Sequence, residues 1–92
     1  MNPHLKEVEA ALTSVHESLH GAKFDSCDQS DVEELIERVE QELDHPLPNV
    51  QVIGTFLNSI ARSLRSQPNT REACTRIDEA LRKVGVARTW AN

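Results

Sequence analysis

The sequence predicts one all-α domain, with a small antiparallel four-helix bundle as its architecture. Four segments carry apolar residues at alternating spacings of three and four, and glycine- or proline-containing breaks separate them. No segment shows the two-residue alternation of a half-buried strand. The length of 92 residues suits one core and is too short for two. Two helical hairpins completed by dimerisation are the alternative arrangement.

The first predicted helix begins after Asn2, an N-cap residue, with Pro3 in the first turn, where a missing N–H costs nothing. We expect Gly21 to end this helix and to lie outside it, because glycine adopts the left-handed conformation that follows many helices. The apolar stripe consists of Leu5, Val8, Leu12, Val15 and Leu19.

The second predicted helix begins at Ser30, which forms the capping box pattern with Glu33. It ends before Pro46, because the residue preceding a proline disfavours helical angles. Its apolar stripe consists of Val32, Leu35, Ile36, Val39 and Leu43.

The third helix is predicted to be capped by Asn49 and to end before Pro68, and Gly54 inside it indicates a close approach of another helix. Its stripe consists of Val50, Ile53, Phe56, Leu57, Ile60 and Leu64. Asn69 is predicted to cap the fourth helix, which ends in a Schellman motif at Gly85. The fourth stripe consists of Cys74, Ile77, Leu81 and Val84. We expect residues 1–86 to form the domain and 87–92 to be a flexible tail.

Charge is unevenly distributed. Between residues 25 and 44 there are nine acids and one arginine, so nine minus one gives −8; between 62 and 88 seven bases and three acids give +4. One interpretation is that these are solvated faces, with the arginines pairing with the acids of the second helix. The other is that the second helix meets a basic partner. The residues predicted to do so are Glu33, Glu34, Glu37 and Glu40.

The third helix carries no charge before Arg62, and Val52 and Phe56 widen its stripe beyond one core face. Either this helix is the most buried of the four, or Val52 and Phe56 form a surface for a partner or for a homodimer.

The string HESLH at 16–20 matches the zinc-protease pattern, but the sequence predicts neither the sheet edge nor the cleft that such proteases need. A structural metal site is the alternative, with His16, His20, Cys27 and Cys74 as candidate ligands. The leading interpretation is boundary histidines and free thiols, so we expect no catalytic residues and no cofactor.

Other classes are disfavoured. The longest charge-free stretch, 45–61, contains two prolines and a glycine, so it does not predict a membrane span. Residues 1–10 carry charges where a signal peptide would be apolar, which favours a cytoplasmic protein. Direct nucleic-acid binding is disfavoured by a net charge of −5 and by dispersed arginines.

From Val32 to Val86 the chain resembles a family of small, acidic, uncharacterised helical proteins of proteobacteria. The resemblance rests on the helix VEELIERVEQELDHP, the turn in SLRSQPN and the closing helix that ends ALRKVGV. It implies a bacterial, cytoplasmic helical protein with no known activity.

The function expected from the sequence is a non-enzymatic protein–protein interaction module: a regulator, adaptor or inhibitor whose partner is another protein or a second copy. A specific form is an immunity or anti-defence protein whose acids occupy a basic groove meant for nucleic acid. A metal-binding protein built on the histidines of HESLH with Cys27 and Cys74 is the alternative.

Overall fold

The computed structural model describes residues 5–21, 26–65, 67, 70–87 and 89, with side chains except at 20, 21 and 26–28. These residues form four α-helices and no β-strand, which confirms the all-α bundle. The main packing pairs are α1 with α4 and α2 with α3; α3 also packs on α4, whereas α1 and α2 touch over a small area. The helices are α1 (Leu5–Gly21), α2 (Ser26–Leu43), α3 (Val50–Leu64) and α4 (Arg71–Val84).

The predicted stripes supply most of the core. Among the stripe members, Leu35, Leu43, Phe56 and Val84 are partly buried against its edge, and Val50 is partly buried without belonging to this cluster. The largest fully buried side chains are Val8, Val15, Val32, Ile36, Val39, Ile53, Leu57, Ile60, Leu64, Ile77 and Leu81. Their burial supplies the main driving force for folding, at about 1.5–3 kcal/mol for each large side chain.

Two predicted helix boundaries are wrong. Gly21 is the last residue of α1 rather than a residue outside it. The second helix begins at Ser26, so Ser30 lies inside the helix and does not form the predicted capping box. Residues 26–29 contain no glycine or proline, so the helix can begin one turn before Ser30. Instead, Gln29 Nε2 donates to Glu33 Oε1 at 3.0 Å, one turn along. The predicted cap at Asn2 lies outside the described residues.

The loop between α2 and α3 follows the prediction and adds one contact to it. Pro46 lies outside the helices, and Asn49 Oδ1 accepts from the backbone N–H groups of Gln51 and Val52 at 3.0 and 3.3 Å. In addition, the Asn49 N–H donates to Glu42 Oε1 at 2.8 Å. A carboxylate from the end of α2 therefore takes the part that an N3 glutamate takes in a capping box, and it ties the two helices together.

The predicted cap of α4 is also wrong, because Thr70 rather than Asn69 precedes Arg71 at the N-cap position. The Thr70 hydroxyl does not cap α4; it donates back to the carbonyl oxygens of Leu64 and Gln67 at 2.7 and 2.9 Å. It therefore satisfies acceptors at the end of α3, which a helix end leaves without partners. Pro68 and Asn69 themselves lie outside the described residues.

The end of α4 is the predicted Schellman motif. Gly85 has φ 77° and its N–H donates to Arg82 O at 3.3 Å. The Val86 N–H donates to Leu81 O at 3.0 Å, which is the six-residue bond of that motif. The turn sends the chain back along α3, so that an ideal Cβ built on Gly54 would lie 2.5 Å from Val86 Cγ1. The close approach predicted at Gly54 is therefore made by Val86, just after α4, and not by a helix.

Asn58 of α3 holds the chain beyond that turn. Its side chain is buried, and its Nδ2 donates to Gly54 O and to Ala87 O, both at 3.1 Å. Its Oδ1 accepts from the Thr89 N–H at 2.9 Å. One side-chain amide thus bonds a backbone C=O group and a backbone N–H group of the segment after α4. The described part of the predicted flexible tail, residues 87 and 89, is therefore attached to α3.

Candidate protein-binding surface

The four acids singled out from the sequence are all exposed on α2. Because a helix advances about 100° per residue, Glu33, Glu37 and Glu40 fall within about 60° of one another, with Glu34 beside them. We call these four residues the acidic face. Glu34 Oε1 lies 3.7 Å from Arg38 Nη2, and both side chains remain more than half exposed, at 66% and 58%. Such an exposed pair contributes little to stability, about 0–1 kcal/mol.

The acidic face divides between two surface features. Glu33, Glu34 and Glu37 line a shallow depression on the outside of α2, together with Arg38. Glu40 lines a cavity of about 280 Å³ between α1 and α2. That cavity is lined by Glu9, Leu12, Thr13, His16, Glu40, Leu43 and Asp44. The structure therefore brings three of the four acids onto one surface and places the fourth at the α1 side.

An apolar groove adjoins this depression on the side of α3. This groove, which we call the apolar groove, has a volume of about 360 Å³. It is lined by Asp31, Glu34, Leu35, Arg38 and Phe56. Leu35 and Phe56 are both partly buried against the core. Glu34 and Arg38 line the groove and the depression alike, so the two form one continuous surface. Leu35 is the member that the sequence assigned to the core alone.

The apolar stripe of α3 is wide because each of its two flanks has different surroundings. On one flank, Gly54 and Asn58 are buried, with Val86 and the backbone of residues 87 and 89 against them. On the other flank, Val52 and Phe56 are only partly buried, and Phe56 reaches the apolar groove. The wide stripe therefore serves a chain segment on one side and leaves accessible apolar surface on the other.

The candidate metal ligands lie in different surroundings. His16 is exposed and lines the cavity between α1 and α2, whereas Cys74 is buried in the core. Burial raises the pKa of the Cys74 thiol, with the neighbouring Thr70 side chain opposing the shift, so the protonated form, a poor ligand, is favoured. The side chains of His20 and Cys27 lie outside the described residues. Within the described part, no three His, Cys, Asp or Glu side chains are placed to share a metal ion.

Replacing His16 and His20 together by alanine tests the metal alternative. If the histidines of HESLH bind no metal, the protein as purified holds less than stoichiometric zinc and the double variant melts within about 4 °C of wild type, as expected for substitutions that remove no metal ligand. His45→Ala, at another exposed histidine, is the matched control. One equivalent of zinc, lost only in the double variant, would establish the metal site.

The bases of α4 do not all pair as the sequence predicts. Arg76 Nη2 lies 3.9 Å from Glu72 Oε1, and Arg82 Nη2 lies 3.1 Å from Asp78 Oδ2, one turn earlier in the same helix. For these two arginines, the predicted pairing with the acids of α2 is wrong. Spacing of i and i+4 on one helix makes such pairs with no tertiary contact.

Comparison with protein-family models, with curated proteins and with solved structures finds no match. The family resemblance of residues 32–86 therefore stays a prediction. Among the described residues, no helix has the length and apolarity needed to cross a membrane.

Proposed function

We propose that this protein is a non-enzymatic protein-binding module that uses the acidic face and the apolar groove of α2 and α3. The observation that carries the proposal is the continuity of the depression with the apolar groove, since Glu34 and Arg38 line both. Protein interfaces commonly combine a buried apolar anchor with a polar, charged rim. Phe56 and Leu35 supply the first of these parts and Glu33, Glu34 and Glu37 supply the second.

Charge complementarity gives this surface its selectivity. Acids around an apolar contact accelerate encounter with a basic partner and disfavour acidic ones. The acidic middle of the chain, −8 between residues 25 and 44, extends this effect beyond the acids that line the depression. An inhibitor of the immunity or anti-defence type, whose acids cover a basic nucleic-acid groove in its target, is the specific form that fits this charge. We also propose that the protein acts in the cytoplasm, as the sequence predicts.

Self-association through α3 is the second candidate. Val52 and Phe56 are partly buried on the flank that faces away from Val86. In a two-fold dimer each of these contacts occurs twice, so a small patch has a doubled effect. This homodimer and a complex with another protein would compete for Phe56.

Reversing two acids tests the proposed function. We expect Glu33→Lys with Glu37→Lys to weaken capture of partner proteins from a lysate of the source cells about tenfold at low salt, because the rim becomes repulsive. The difference should shrink as salt is added, since exposed charges are screened over about 10 Å at 0.1 M. Stability should change by no more than about 1 kcal/mol.

The matched control reverses two exposed acids elsewhere, Glu17 and Glu79, and so makes the same change in net charge. Quantitative mass spectrometry of the captured proteins compares the two variants with wild type. Partners retained equally by both variants would contradict a role for the acidic face.

A further inference from the structure

We infer that the apolar groove receives a basic amphipathic helix of another protein. The inference rests on the proposed function and names the partner that the surface fits. It follows from three features of the groove: its shape, its charge, and the mismatch between this surface and a second copy of the chain.

The shape of the groove suits a helix. Four of its lining residues, from Asp31 to Arg38, follow two turns of α2, and Phe56 of α3 forms the opposite wall. A helix laid beside α2 can insert apolar side chains spaced three or four residues apart into such a groove. The described residues include no β-strand, so they offer no sheet edge to which an extended peptide could add. A volume of about 360 Å³ matches a short apolar anchor rather than a whole helix face.

The charge of the groove requires basic flanks on that helix. Asp31 and Glu34 stand on its rim, and Glu33 and Glu37 continue the surface, against the one guanidinium of Arg38. Covering these carboxylates with apolar surface alone would remove their water without compensation. Lysine or arginine side chains beside the anchor replace that water. The loose Glu34–Arg38 pair, at 3.7 Å, can be exchanged at little cost.

A second copy of the chain does not meet these requirements. A two-fold contact through the groove would bring two copies of this acidic surface together, so that like charges would repel across the contact. Helix α4 of another copy is no better, because its apolar residues Ile77 and Leu81 are buried in its own core. The face of α4 that stays exposed therefore cannot supply an apolar anchor and basic flanks together.

A titration of the ¹⁵N-labelled full chain with a designed peptide tests the inference. The probe is an amphipathic helical peptide with leucines on one face and lysines on both flanks, at low ionic strength. We expect amide shifts concentrated at residues 31–38 and around Phe56. Two matched peptides, one with glutamates replacing the lysines and one with alanines replacing the leucines, should each bind at least about tenfold more weakly.

Variants of the chain then locate the contact. Phe56→Ala should weaken the lysine peptide about tenfold, and Asp31→Asn with Glu34→Gln about threefold or more. Leu47→Ala is the matched apolar control, since Leu47 is 88% exposed and does not line the groove. Glu79→Gln controls for charge. If Phe56→Ala fails to fold, the Asp31 and Glu34 variant still decides the question, because both carboxylates are exposed.

Three results would overturn the inference. The first is equal binding of the acidic peptide, and the second is a set of shifts that avoids residues 31–38. The third is a concentration-dependent shift of these residues without peptide, which would make a second copy the occupant. In each case, a partner lost selectively from the Glu33 and Glu37 variant in the capture experiment would leave the proposed function standing, so the two failures are distinguishable.

Discussion

Leu57→Ala is expected to lower the free energy of unfolding by about 2–5 kcal/mol, because a fully buried leucine leaves a cavity that its neighbours fill only in part. Leu57 lies in the core with Ile53 and Ile60 of the same helix. A chain of this length has a total stability of roughly 5–14 kcal/mol, so the loss is a large share of it. Urea denaturation followed by circular dichroism measures the change.

The neighbouring residue provides the control for that experiment. Phe56 is only partly buried at the edge of the core, so Phe56→Ala should cost less than the roughly 3–5 kcal/mol of a fully buried phenylalanine, and less than Leu57→Ala. The two variants should also differ in binding: Phe56→Ala should bind the helical peptide about tenfold more weakly, whereas Leu57→Ala, measured under conditions in which it is folded, should bind it as wild type does. Equal losses of stability would mean that Phe56 belongs to the core and that the groove has no available wall.

Asn58→Ala should detach the segment that follows α4 and lower stability by about 1–3 kcal/mol. The buried amide makes three hydrogen bonds, to Gly54 O, Ala87 O and the Thr89 N–H. Truncation removes all three hydrogen bonds, each worth about 0.5–1.5 kcal/mol net, and hydration of the exposed residues 87 and 89 offsets part of that loss. Hydrogen exchange of the Thr89 amide reports the release directly and should accelerate to the rate of an exposed amide.

Thr55→Ala is the matched control on the same helix. The Thr55 hydroxyl is exposed and donates to Gln51 O within α3, so its loss should change stability by less than about 0.5 kcal/mol and leave Thr89 exchange unaltered. If Thr89 remained protected in Asn58→Ala, the contact of Val86 with Gly54 would be the main attachment of the segment.

Local sequence patterns are sufficient to predict the four helices and several of their ends. The stripes of α1 to α4 follow from spacing alone, because burial of one face imposes a period of about 3.6 residues on any helix. The sequence also predicts Asn49 as the N-cap of α3 and Gly85 as the end of α4, because capping depends on the chemistry of one or two adjacent residues. The acidic face was likewise readable, since the spacing of Glu33 and Glu37 places them on one side of a helix whatever its neighbours.

The predicted N-terminal ends of α2 and α4 are wrong because more than one nearby residue can begin each helix. Ser30 and Glu33 form a good capping pattern, yet α2 starts at Ser26, because residues 26–29 lack a helix breaker and gain hydrogen bonds by joining the helix. Asn69 had the right chemistry for a cap, but α4 starts one residue later, after Thr70. An N-cap pattern indicates which residue can cap a helix, but it does not determine at which residue the helix begins.

The proposed binding surface and the attachment of the segment after α4 depend on residues far apart in the chain. The apolar groove joins Leu35 to Phe56, and Asn58 meets Ala87 and Thr89 about thirty residues later. Such contacts follow from how α2, α3 and α4 pack, and a periodic pattern records that a face is apolar without saying what covers it. The sequence could therefore supply the helices, their buried faces and the acids of α2. Only the tertiary structure decided which flank of α3 holds residues 86, 87 and 89 and which flank leaves Val52 and Phe56 partly accessible.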